Sequence, residues 1–68
     1  MYAIKNKRNK KYVYGTDFRY HPPHQRLSND RLLTYDDYES AKIDFKLRKC
    51  GNDYEIIPIK IIELRSSQ

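Results

Sequence analysis

Asp36-Asp37-Tyr38-Glu39-Ser40-Ala41-Lys42-Ile43-Asp44-Phe45-Lys46-Leu47-Arg48-Lys49-Cys50-Gly51 is the stretch that decides the fold. Asp36 can cap a helix, and Glu39 three residues on completes a capping-box pattern with Asp in place of Ser or Thr. Asp37 and Glu39 lie where the helix dipole favours anions, and Lys46, Arg48 and Lys49 where it favours cations. Gly51 suits the left-handed position that ends many helices. The spacing therefore predicts one helix over 37–50. At about 100° per residue, Tyr38, Ala41 and Phe45 share one face, and Ile43, Leu47 and Cys50 a nearly opposite one. The first stripe should cover a sheet. The second needs a partner chain, a covering loop or tolerance of solvent.

Working outward, Tyr2-Ala3-Ile4-Lys5 alternates as a strand does, Asn6 to Lys10 is a polar turn, and Lys11-Tyr12-Val13-Tyr14 is rich in strand formers. These form a hairpin with a basic tip, closed by Gly15. Residues 16–31 read as a long irregular loop. Pro22-Pro23 forbids helix and ladder bonding there and holds His21 extended. Leu32 to Tyr35 reads as a short third strand. Beyond the helix, Tyr54 to Leu64 is a strand apolar on both faces. Ile57, Ile59 and Ile61 fall on one side, and Tyr54, Ile56, Ile62 and Leu64 on the other. That pattern suits a central or interface strand, whereas Pro58 suits an edge or a bulge. Residues 65–68 read as a frayed tail. The expectation is one α+β domain over 1–68: a small antiparallel sheet of three to four strands with one helix packed on a face, in the order β-β-loop-β-α-β.

A chain of 68 residues makes one domain at most and buries only about 60% of its unfolded surface. Such domains commonly need a staple. Cys50 is the only cysteine, so no internal disulfide can serve, and a reducing compartment is favoured. A partner chain remains, and a homo-oligomer using Ile43, Leu47, Ile57 and Ile59 is expected. No apolar run approaches the ~20 residues of a membrane span, and the N-terminal Met-Tyr-Ala-Ile-Lys has no signal-peptide core. The expected setting is the cytoplasm, with no membrane contact.

The net charge of +5 is unevenly placed. Residues 1–31 hold eight Lys/Arg against two Asp, and residues 32–68 hold six against seven Asp/Glu. A basic half points to an anionic partner, although solubility alone would also account for it. Lys5, Lys7, Arg8, Lys10 and Lys11 could neutralise phosphates, or could simply keep an exposed turn solvated and unpaired. The loop is richer. Tyr14, Phe18 and Tyr20 alternate with Thr16, Asp17 and Arg19, and His21, His24, Gln25, Arg26 and Ser28 follow. Aromatic faces stack bases, and Arg forks grip phosphate. This mixture suits a nucleotide or a single strand better than a duplex, whose readers usually present a helix. The ligand candidates are Arg19, Arg26, His21, His24, Tyr20, Tyr14, Thr16 and Lys11. Alternatively the aromatics are core, and the arginines pair with Asp17 and Asp30.

Metal binding is not expected. Pro22-Pro23 prevents helical ligation by His21 and His24, and structural zinc normally takes four ligands. Catalysis is not expected either. Cys50 falls at a helix C-terminus, where the dipole opposes a thiolate, and no nucleophile elbow or phosphate loop is present. The protein reads as a cofactor-free binding domain.

The opening Tyr-Ala-Ile-Lys-Asn, the run Tyr-Val-Tyr-Gly-Thr-Asp-Phe-Arg-Tyr-x-Pro-Pro-x-Gln-Arg from Tyr12 to Arg26, and Cys-Gly-Asn-Asp-Tyr-Glu-Ile from Cys50 to Ile56 resemble small phage and prophage proteins of low-GC Gram-positive bacteria. The resemblance covers most of the chain and carries no catalytic motif. It implies a protein that acts on host machinery or defence in the bacterial cytoplasm. The roles this implies are sequestering a signalling nucleotide, inhibiting a host enzyme by binding it, or binding nucleic acid with little sequence preference.

Overall fold

The computed structural model describes residues 1–60. The elements run β1 (Tyr2–Asn6), β2 (Tyr12–Asp17), β3 (His24–Ser28), α1 (Tyr38–Leu47) and β4 (Tyr54–Pro58). The strands form one antiparallel sheet in the order β3-β2-β1-β4, the α+β class expected. Register sets the layers: Ile4 pairs with Ile56, and Val13 with Leu27. Strand alternation puts these on the helix side, where Phe45 and Cys50 meet them. Among the described residues, Ile4 and Val13 are the largest fully buried side chains. Ala41, also fully buried, lets α1 lie close to the sheet. The rest of the cluster (Leu27, Leu33, Tyr35, Phe45, Tyr54 and Ile56) is only partly covered.

The third strand lies elsewhere than expected. β2 does not stop at Gly15 but continues to Asp17, and His24–Ser28 pairs along it as β3. Periodicity missed this because β3 reads His-Gln-Arg-Leu-Ser, with one apolar residue in five. Gly15 sits inside β2, at a register shift between Val13 and Gly15. Its open Cα accepts the close approach of Arg26, whose Cδ would lie 3.4 Å from a Cβ there. Leu32 to Tyr35 forms no ladder, only an isolated bridge. Tyr35 exchanges both backbone bonds with Tyr2, and the Leu33 N–H donates to the Val13 carbonyl. The segment is thus bonded to both β1 and β2.

The helix is shorter at both ends than the expected 37–50. Asp37, not Asp36, is the N-cap, and its side chain accepts from the Ser40 N–H. At the other end Arg48 is the C-cap. The Lys49 N–H donates to the Lys46 carbonyl and the Cys50 N–H to the Phe45 carbonyl, the bond pair of a Schellman motif. The left-handed residue there is Lys49 (φ 53°) rather than Gly51, which takes a second positive φ of 78°. This double reversal drops Cys50 into the core. Cys50 therefore leaves the face assigned to it by helical angle, while Ile43 and Leu47 stay exposed at 58% and 66%. Tyr38 lies at the margin of the covering face, half exposed and edge-on to Tyr2.

Among the described residues β4 pairs only with β1, which makes it an edge strand of this sheet rather than a central one, and Pro58 stands at its end. The missing N–H costs the sheet nothing there. Ile57 and Ile59 are half-buried. The expected continuation over 61–64 and the tail at 65–68 lie outside the described residues.

Candidate ligand-binding surface

The β2–β3 hairpin is joined by residues 18–23, with a cis His21–Pro22 bond. Because Asp17 pairs with His24, and Arg26 is two residues further along β3, all three fall on the face away from the helix. Asp17 is the hub. It accepts the Arg19 backbone N–H at 3.0 Å, Arg19 Nε at 3.0 and 3.2 Å, and Arg19 Nη2 at 2.7 Å, with Arg26 Nη2 3.7 Å away. The Arg19 hydrogen bonds hold its carboxyl well below the usual carboxylate range. Tyr20 stacks on His24 with ring centroids 4.0 Å apart and planes 6° from parallel. The Arg19 guanidinium lies 5.9 Å from the Tyr20 ring. Arg19, Tyr20, His24 and Arg26 thus form one exposed cluster, with side-chain exposures of 77% and 54% for the two arginines. The pairing of both arginines with Asp17 follows the alternative reading. Asp30 instead accepts from the Ser28 hydroxyl at 2.8 Å.

Three other candidates lie apart from this cluster, and His21 is exposed in the turn. Thr16 faces the helix side, where its hydroxyl donates to Gln25 Oε1 (2.6 Å) and accepts from Arg48 Nη1 (2.8 Å). That use withdraws it from a ligand. Tyr14 lies under the Arg31 guanidinium, 5.4 Å from the ring centroid. It lines a recess of about 300 Å³ with Leu27, Ser28, Asp30 and Arg31. Lys11 belongs to the β1–β2 loop, at the far end of β2.

The sequence did not reveal the network that locks the hairpin to the helix. Arg48 Nε donates to Asp44 Oδ2 at 2.7 Å, the Tyr35 hydroxyl donates to the same oxygen, and Gln25 Nε2 donates to the Arg48 carbonyl at 2.7 Å. The i, i+4 spacing of Asp44 and Arg48 is a visible signal. Their link to Thr16, 32 positions from Arg48, has none. Burial acts to raise the Asp44 carboxyl, but the hydrogen bonds from Arg48 and Tyr35 outweigh it and leave its pKa lowered. Burial, then the bond to Asp44, pushes the Tyr35 hydroxyl up to about 12, and burial pushes the Cys50 thiol up to about 11.

These two raised groups give a pH prediction. Each holds its proton more tightly when folded, so the unfolded chain ionises first. Their contribution is complete below pH 9, the ordinary thiol value, and is lost as pH rises towards 12. Urea midpoints should fall steadily above pH 9, and Cys50→Ala should remove the early part of that fall. An unchanged slope in Cys50→Ala would contradict the burial of the thiol.

The architecture defines a small α+β domain whose helix covers one sheet face and whose β2–β3 hairpin carries an exposed arginine–aromatic cluster. Comparison with protein-family models, curated proteins and solved structures returned no match. Among the described residues, no helix is long and apolar enough to cross a membrane.

Proposed function

We propose that the protein is a non-enzymatic binding domain whose β2–β3 hairpin takes a base-bearing, phosphorylated ligand, with a single strand of nucleic acid fitting better than a lone nucleotide. The supporting observation is the Tyr20–His24 stack with Arg19 and Arg26 beside it. A stacked pair at the surface offers a ring face to a further base, and the guanidinium groups reach for phosphate. A nucleotide sponge gains affinity by enclosing its ligand. This cluster is open to solvent on a hairpin, which favours an extended ligand that adds contacts along its length. In the setting implied by the phage resemblance, such a domain would act on nucleic acid in an infected cell.

The test is fluorescence anisotropy with a labelled single-stranded oligonucleotide, run beside a mononucleotide across a salt series. Tyr20→Ala should weaken oligonucleotide binding roughly tenfold, since one stacked base is worth about 1–3 kcal/mol. Arg26→Ala should weaken it further and flatten the salt dependence. Neither should lower the melting temperature by more than a degree or two. Binding that is indifferent to both substitutions would reject the hairpin as the site. Tighter binding of the mononucleotide would restore the sponge reading.

A second reading has its own observation. Ile43 and Leu47 are exposed on the helix face turned from the sheet, which suits a protein contact, either a second copy or a host enzyme. Ile43→Glu would then abolish a stoichiometric complex while leaving oligonucleotide binding intact.

A further inference from the structure

We propose that the β1–β2 loop is a separate anion site that takes adjacent phosphate groups, whether of a free polyphosphate or of a phosphodiester chain. The loop is organised from within by two asparagines. The buried Asn6 accepts the Arg8 and Asn9 backbone N–H groups on Oδ1, at 2.9 and 3.1 Å. Asn9 Oδ1 accepts the Lys11 N–H at 2.9 Å. The Asn6 carbonyl accepts from Lys10, and the Lys11 carbonyl from Asn6. Asp53, on the neighbouring segment, meets the loop through its backbone carbonyl, which accepts the Lys7 N–H.

The chemical consequence is one-sided. Asn6 Oδ1 accepts two backbone N–H groups and Asn9 Oδ1 one, so the polar groups the asparagines still offer are chiefly amide N–H donors. The other polar side chains of the loop, Lys7, Arg8, Lys10 and Lys11, are cations and exposed. Among the described residues, none of the four takes part in an ion pair. The side chains of the loop surface therefore offer mainly hydrogen-bond donors and positive charge. Asn6, Arg8 and Asn9 line a recess of about 550 Å³ at this point.

Lys10 holds a φ of 66°, a left-handed conformation that glycine would take at less cost. The chain places a cation there instead. The contrast with the β2–β3 hairpin is direct. There Asp17 offsets Arg19 and Arg26, whereas among the described residues no carboxylate forms an ion pair with the cations of this loop. The two sites lie at opposite ends of β2. Asp17 lies six positions beyond Lys11, a span of about 20 Å at strand rise, so this loop stands as a site whether or not the hairpin binds bases.

The experiment is an amide NMR titration of the full chain with inorganic tripolyphosphate and, in a parallel arm, with an abasic single-stranded phosphodiester, both at constant ionic strength. Shifts are expected at the Arg8 and Asn9 backbone amides and at the Asn6 and Asn9 side-chain amides. Arg8→Ala combined with Lys10→Gly should weaken that binding at least tenfold, with spectral dispersion kept because glycine relaxes the positive φ. Tyr20→Ala should leave it unchanged. A response to tripolyphosphate alone identifies a free polyphosphate as the ligand, and a response to the phosphodiester identifies a strand backbone. Loop amides silent towards both probes, shifts shared equally with Lys42, Lys46 and Lys49, or binding unaltered in the double variant would each overturn the proposal.

Discussion

Ile4→Ala should destabilise the protein by about 3 kcal/mol, within the range for a large-to-small change at a fully buried site. Ile4 is fully buried, pairs with Ile56 across β1–β4, and centres the cluster that includes Val13 and Cys50. Few side chains share its burden, because among the described residues Val13 is the only other large one with no exposure. A core this size supplies on the order of 3–5 kcal/mol, so the variant should populate its unfolded chain at room temperature. Thermal denaturation followed by circular dichroism would show a midpoint roughly 12–24 °C lower, at about 4–8 °C per kcal/mol. Ile43→Ala is the control. Its side chain is more than half exposed, and it should cost no more than about 0.5 kcal/mol. Equal losses in the two variants would contradict the placement of the core.

Asp44→Ala should cost about 2 kcal/mol, less than the loss of one partner from a fully buried ion pair because solvent reaches this one. The carboxylate is a shared acceptor for the Tyr35 hydroxyl and Arg48 Nε. Removing it leaves both donors without their acceptor and releases Arg48 from the geometry that serves Thr16 and Gln25. The hairpin and the end of the helix should loosen together. The distinguishing result is non-additivity: Tyr35→Phe should be destabilising in the native background and nearly neutral beside Asp44→Ala. Additive losses would mean that the Tyr35 bond does not depend on Asp44. The acid limb follows the same logic. Because the Asp44 pKa is lowered in the fold, its contribution is present above the ordinary carboxylate value and is lost as pH falls through the folded one.

Both experiments bear on how far this fold can be read from residues alone. The first hairpin and the existence of the helix were legible, since strand alternation in Tyr2 to Lys5 and the paired charges at the helix ends are local signals. The class followed from them. β3 was not legible. Its five residues carry one apolar side chain, and their strand identity comes from the ladder with β2 that begins beyond the bulge at Gly15. The helix boundaries were displaced because Asp36 and Asp37 are equally good caps in isolation. In the fold it is Asp37 that takes the extended backbone of a cap (φ −134°, ψ 167°) and accepts the Ser40 N–H.

The candidate site divides in the same way. Residue types alone indicated that Arg19, Tyr20, His24 and Arg26 belong to one basic aromatic segment. They could not show that Asp17 would gather the two arginines, or that Thr16, one residue earlier, would point to the other face. That outcome depends on strand parity after a bulge, and one extra residue reverses it.

By itself the sequence determined an α+β chain with a basic first half, a basic hairpin tip and a helix with apolar residues on two faces. Composition and short-range periodicity carry that information, because each acts within a few residues. The tertiary structure alone decided which of these features meet. It brought Cys50 into the core through the reversal at Lys49, left Ile43 and Leu47 in solvent, and tied Arg48 to Thr16 across the chain. Such contacts are set by sheet register and by the direction in which the helix ends. Neither is encoded at any single position.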